Sequence, residues 1–186
     1  MVIELNKIAL AKLLIPFALA GATGVFFLLF LPEDFGKYVT VFGVYSFVPF
    51  GTISVIPTGL GLGIPPEALI AFIVYTDSVL AIFLVWNFDY AKKIPGLGKL
   101  VERVEERGEE ALRRYKWAKR FGFIGLVVFV FLPAPLTGAG VGSVVGRLIG
   151  MAPFMTLLAV ILGTFIRSVL FVYFSWLIAF LVKPFL

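Results

Sequence analysis

The chain has 186 residues, of which 61% are hydrophobic and only 15% charged, against about a quarter charged in soluble domains. There is no Cys and no His, which excludes disulfides, Cys/His zinc and haem sites and any histidine acid–base step. Apolar runs long enough to cross a bilayer as helices exclude a small barrel, whose strands are about 10 residues long and alternate. The class is an all-α integral membrane protein, multi-pass in the cell membrane.

The first apolar run is Ile8 to Leu31, with Lys12 near its start and Pro16, Gly21 and Gly24 inside it. Ala18-Leu19-Ala20 has the form of a signal-peptidase site, but Glu4 spoils a positive leader and the apolar run continues through Phe30. A retained spanning helix is the reading. Pro32 to Lys37 then reads as a turn with two acids. Tyr38 to Ile64 is apolar but interrupted at Pro49, Gly51, Pro57, Gly59, Gly61 and Gly63. Glu67 to Phe88 is an uninterrupted spanning helix, with Asp77 in its middle and Trp86 near its end, where an interfacial belt would place it.

Between Asp89 and Arg120 lie ten of the sixteen Lys and Arg, against six acids. This excess, which accounts for most of the net charge of +5, reads as a topology determinant and not as a nucleic-acid patch. From Leu97 to Ala118 the apolar positions recur at helical spacing, predicting one amphipathic helix at the membrane surface or packed under the bundle. The charge-dense loop, together with the absence of glutamine, points to a heat-adapted source.

Phe121 to Leu132 is a second apolar approach, too short to span, since about 20 residues are needed and 10–14 read as re-entrant. It runs into a break, Pro133 to Pro153, that carries Pro133, Pro135, Gly138, Gly140, Gly142, Gly146 and Gly150. Irregular backbone at membrane depth must be buried in protein or face a cavity. Phe154 to Val182 follows as one long helix, tilted or kinked, because its length of about 43 Å exceeds the roughly 30 Å hydrocarbon core.

The two interrupted stretches match. Each has a proline-containing break, closely spaced glycines and a G-[I/M]-x-P ending, at Gly63-Ile64-Pro65-Pro66 and Gly150-Met151-Ala152-Pro153. Each is followed by a spanning helix that carries Ser-Val-Leu, at 78–80 and 168–170. The two anchors disagree by three residues on the repeat offset. Broken segments at corresponding places in two halves point to a transport site at the repeat interface. With the 89–120 loop cytoplasmic, the halves form an inverted pair: a single membrane domain over 1–186, with half 1 at about 38–88, a connector at 89–120 and half 2 at about 121–182. Two re-entrant helical hairpins would face each other, broken at Pro49, Pro57, Gly59, Pro133, Pro135, Gly138 and Gly140.

Arg120-Phe121-Gly122 before an apolar run, Pro133-x-Pro135-x-Thr137-Gly138-Ala139-Gly140 and Gly163-Thr164 together resemble the small multidrug-export family of bacterial and archaeal membrane proteins. That family is distantly similar to the DedA, or SNARE-associated, membrane proteins. The resemblance covers roughly 38–182 and implies facing re-entrant hairpins and transmembrane helices, with lipid-phosphate translocation or drug export as the activity. The family's usual PLPGTGAW is altered here, with Ala134 and Leu136 for its leucine and glycine and Gly140 for its tryptophan. In the first half Gly51 and Ile53 stand where the family carries charges. The functional arginines of the DedA relatives fall on Val130 and Leu136.

Six residues remain as candidates for substrate or ion binding. Asp77 lies near the midplane, where an acid is costly, and is either a proton-coupling carboxylate or half of a static pair. Arg167 is its obvious partner or an anion binder. Arg147, in the glycine-rich break, would meet an anionic headgroup at the cytoplasmic mouth or orient the hairpin. Glu67 opens a helix, where an acid also complements the helix dipole. Thr137 and Ser143 would donate hydrogen bonds at the breaks or cap them. The expectation is a transporter or a lipid flippase or scramblase that moves an anionic or amphipathic small substrate, with proton coupling as one route. The alternatives are an ion channel, which would need a homo-oligomer, and a non-catalytic scaffold. Membrane lipids, and protons or other ions, are the expected partners; no enzyme activity, cofactor, metal or nucleic acid is expected.

Overall fold

A computed structural model of the chain describes residues 7–47, 51–91, 98–133 and 137–182, and the structural statements below concern these. Pro49 and Pro135 lie outside them. The described regular structure is entirely helical: α1 (Lys7–Phe30), α2 (Pro32–Phe47), α3 (Gly51–Gly61), α4 (Pro66–Ala91), α5 (Gly98–Arg114), α6 (Lys116–Arg120), α7 (Gly122–Phe131), α8 (Ala139–Leu148) and α9 (Pro153–Val182). Three stretches are long and apolar enough to cross a membrane, namely Leu10–Phe30, Pro66–Phe88 and Pro153–Ser175.

The two long helices α4 and α9 form the centre. They run antiparallel, because Glu67 near the start of α4 accepts a hydrogen bond from Tyr173 late in α9 (3.0 Å), while Asp77 further along α4 meets Thr164 earlier in α9. Around them α7 packs on α9, α8 on α4 and α9, and α2 on α3, while α1 leans on α4 and α2. Two apolar cores result. One gathers Leu126, Phe129 and Val130 of α7 with Val145, Ala159 and Val160. The other gathers Val41, Val55, Ile56, Leu69 and Ile73 with Val172. Asp77 stands four residues after Ile73 and four before Ala81, one residue from each core, and so falls at their junction.

Three expectations are corrected. The turn at Pro32–Lys37 is helix: Pro32 opens α2 after a single non-helical residue, Leu31. Proline suits the first helical position, and Glu33 and Asp34 in the first turn complement the positive helix end. The amphipathic connector is two helices, bent at Tyr115, whose ring packs edge-on against Phe129 of α7 at 5.6 Å. Its apolar face lies under the bundle, where Ala111 is fully buried and Gly108 faces Val144 and Leu148 of α8. Finally, the glycine-rich centre of the Pro133–Pro153 break is itself a helix, α8. Its glycines serve close packing: a Cβ on Gly146 would stand 2.5 Å from Thr156 Cγ2, and one on Gly142 would collide with Val130. Gly138, with φ of 104°, makes the turn into α8.

The ends of α3 and α8 are built alike. After α3, Gly63 has φ of 77°, its N–H bonds Leu60 O (3.0 Å), and Ile64 N–H bonds Gly59 O (3.1 Å). After α8, Gly150 has φ of 82°, its N–H bonds Arg147 O (3.1 Å), and Met151 N–H bonds Gly146 O (3.0 Å). Both are Schellman caps, in which a left-handed residue, cheapest as glycine, turns the chain out of the helix. Gly59 faces Leu69 as Gly146 faces Thr156. Each of these correspondences steps by 87 residues, the same interval that separates Asp77 from Thr164. The G-[I/M]-x-P anchor has this same interval, and the Ser-Val-Leu anchor differs from it by three.

Candidate functional site

Asp77 and Arg167 meet in the middle of the α4–α9 contact. Arg167 Nη2 donates to Asp77 Oδ2 at 3.0 Å, and both side chains are buried, with 3% exposure each. Thr164 Oγ1 donates to the same carboxylate oxygen at 2.8 Å, and Tyr45 on α2 donates to Oδ1. Arg167 Nη1 donates to Val130 O at 3.0 Å. Val130 lies in the last turn of α7, where carbonyls lack helical partners, so the break after α7 creates the acceptor that Arg167 uses. Five residues on α2, α4, α7 and α9 thus form one polar knot between the two apolar cores. Charges at this depth are costly unless paired and hydrogen-bonded. Here the carboxylate is well satisfied and the guanidinium less so: Arg167 Nε and the neighbouring Ser168 Oγ are buried without hydrogen-bond partners.

A cleft of about 940 Å³ opens beside this knot, between α1, α2, α4 and the start of α8. Asp77 and Tyr45 form part of its wall, as do Thr137, Gly138 and Gly140, while Arg167 stays behind the carboxylate. α1 closes the far side through contacts with α4 and α2. Tyr75 donates to Leu19 O (2.9 Å) and shares a hydrogen bond with Thr23, and Asn87 donates to Lys12 O (3.1 Å). Phe17 meets Phe83 edge-on at 5.5 Å, and Phe27 packs on Tyr38 at 4.3 Å.

The sequence candidates separate into places. Asp77 and Arg167 come together as a pair. Thr137 lines the cleft, its hydroxyl donating to Leu132 O, and Gly138 sits against Arg167, whose Nη1 would be 3.4 Å from an added Cβ. Gly140 faces Leu80 and Leu84 of α4, and Gly59 faces Leu69. Pro57 lies within α3, and Pro133 follows the end of α7. Ser143 is fully buried and donates to Ala139 O in its own helix. Arg147 lies apart from the pair, near the C-terminal end of α4: its Nη1 donates to Met151 O (2.9 Å) and its guanidinium covers the Phe88 ring at 5.7 Å. Glu67, at the other end of α4, is held by Tyr173. Sequence reasoning missed Tyr45 and the Val130 carbonyl. It met Thr164 only as part of a Gly-Thr motif.

The family described as "putative small multi-drug export protein" matches residues 52–170. The chain belongs to this small multidrug-export family. The match takes in Asp77, Val130, Thr164 and Arg167 but leaves out α1 and Tyr45, so it is narrower than the 38–182 span of the sequence resemblance. No curated protein and no solved structure matches the chain. Family membership and the three apolar helices make this a membrane protein of an export family.

Proposed function

We propose that this protein is a transporter of an amphipathic small substrate, of flippase type, in which two inverted halves rock about the Asp77–Arg167 pair. In this reading α2–α3 and α7–α8 are re-entrant hairpins that enter from opposite faces, and the 89–120 connector is cytoplasmic. The matching Schellman caps and Gly59–Leu69 and Gly146–Thr156 contacts support the repeat. So does the Asp77–Thr164 bond: residues equivalent by a two-fold relation touch each other only where they lie near its axis.

The observation that carries the proposal is the cleft ending on the knot. A substrate seated there touches Tyr45 and Asp77 and competes for the hydrogen bonds that hold α2 and α4 to α9. Occupancy of the cleft is thereby linked to the contact between the halves. Asp77 is the carboxylate available for proton coupling at this position. An anionic substrate would need Arg167 to turn from behind Asp77, so the amphipathic class fits the geometry better.

Proteoliposome flux of a fluorescent lipid and of protons tests this with Asp77→Asn and Arg167→Ala. Both variants are expected to lose at least tenfold in flux. Flux at the wild-type rate in both overturns the site, and no flux under any gradient overturns the transporter reading.

A further inference from the structure

The wall of the cleft has a chemistry that the polar knot alone does not reveal. Nine aromatic side chains line it, contributed by α1, α2 and α4, among them Phe17, Tyr38, Phe42, Phe72 and Tyr75. Among the described residues on the wall, the only formally charged side chain is Asp77. Asp77 belongs to this wall with only 3% of its side chain exposed, and Arg167, equally buried, does not line it. Ring faces carry negative potential and attract cations, most strongly where water is excluded. The remaining polar groups on the wall are hydroxyls of Thr23, Tyr45, Ser46, Tyr75, Thr76 and Thr137, which supply no positive charge. A volume of about 940 Å³ lies within the range of about 300–1,000 Å³ typical of small-molecule sites.

We infer that the cleft is a binding site for lipophilic organic cations, holding the charge over the aromatic wall with the Asp77 carboxylate at its inner end. This rests on the reading of the cleft as the substrate's site and names the substrate class. The outer face of α1 is largely exposed, so a ligand dissolved in the bilayer reaches the cleft beside α1 without crossing water.

Tetraphenylphosphonium and tetraphenylborate have nearly the same shape and opposite charge, so they separate charge recognition from apolar partitioning. Binding of each is measured by equilibrium dialysis to detergent-solubilised protein. Gly24 lines the cleft, and an added Cβ there meets nothing within 4 Å, so Gly24→Phe fills the space without a backbone clash. Gly21 has the same open surroundings but does not line the cleft, which makes Gly21→Phe the control.

The expected result is phosphonium binding that Gly24→Phe weakens at least tenfold and Gly21→Phe leaves unchanged. The Gly24→Phe-sensitive part should favour the phosphonium over the borate by at least tenfold, and Asp77→Asn should lower that preference several-fold. Phe42→Ala, which removes a half-exposed ring, gives a second reading of the wall if Gly24→Phe proves unstable, with several-fold weaker binding expected. Phosphonium binding that is insensitive to all cleft variants overturns the inference, as does an equal or greater site-specific affinity for the borate. The measurement needs no gradient. A protein that binds the cation but moves nothing refutes transport alone, and one that moves only neutral or anionic amphiphiles refutes this inference alone.

Discussion

Removing Asp77 and Arg167 together should cost well below the sum of removing each alone. In Asp77→Ala the Arg167 guanidinium stays buried, keeping Val130 O at 3.0 Å and Tyr45 at 3.5 Å but losing its counter-charge. Breaking a buried pair by deleting one partner costs about 3–5 kcal/mol, because an uncompensated charge is left behind. Tyr45 and Thr164 also lose their acceptor, at about 0.6 kcal/mol for an average hydrogen bond in a membrane protein and up to about 1.7 for the strongest. Arg167→Met strands the carboxylate instead, but two hydroxyl donors remain on it, so its cost should fall at the lower end of the same range. In the double variant no charge is buried, and an interaction energy of about 2–3 kcal/mol should appear in the cycle. Equilibrium unfolding in mixed micelles of increasing SDS content, followed by the fluorescence of Trp86, Trp117 and Trp176, measures all four proteins. Because the pair is buried, salt should change the result little. An interaction energy below about 0.5 kcal/mol, the ordinary scatter of independent sites, would refute the claim that these charges depend on each other.

Gly163→Ala should destabilise by about 1–3 kcal/mol in the same assay, since its Cβ would stand 2.7 Å from Val127 O and 2.8 Å from Val130 Cβ and force α7 off α9. Wild-type stability there would show that the two helices are not in close contact. Gly63→Ala and Gly150→Ala meet nothing within 4 Å and keep only the strain of a positive φ, so each should cost about 1–2 kcal/mol. Their costs should agree within about 0.5 kcal/mol; a large inequality would count against equivalent caps. Cysteines at Asp34 and Glu106, in a chain that has none of its own, should be labelled by an impermeant maleimide from opposite sides of the membrane. Labelling of both from one side would refute the inverted arrangement.

Much of the site was legible in one dimension because a charge in an apolar run is conspicuous and expensive. Asp77 and Arg167 stood out for that reason, with an ion pair between them as one of the readings left open. Tyr45 did not stand out, because tyrosine in an apolar segment is common and its hydroxyl shows no period. The Val130 carbonyl carries no sequence signal at all: its availability comes from where α7 ends. Arg147 looked equivalent to Arg167 by composition, yet it lies at the far end of α4, on the Phe88 ring. Linear spacing within a glycine-rich stretch does not say which way the chain turns.

Sequence alone determined that this is a helical membrane protein with two glycine- and proline-broken segments, because hydropathy and helix-breaking chemistry act locally. It also marked the midplane charges. Only the tertiary structure decided that the second break folds as helix α8, because the glycines there take up packing against Val130 and Thr156 that no local rule anticipates. It likewise decided that Asp77 belongs to the wall of an aromatic cleft that Arg167 does not line. The cleft is walled by α1, α2, α4 and the start of α8, and no lining residue comes from α9.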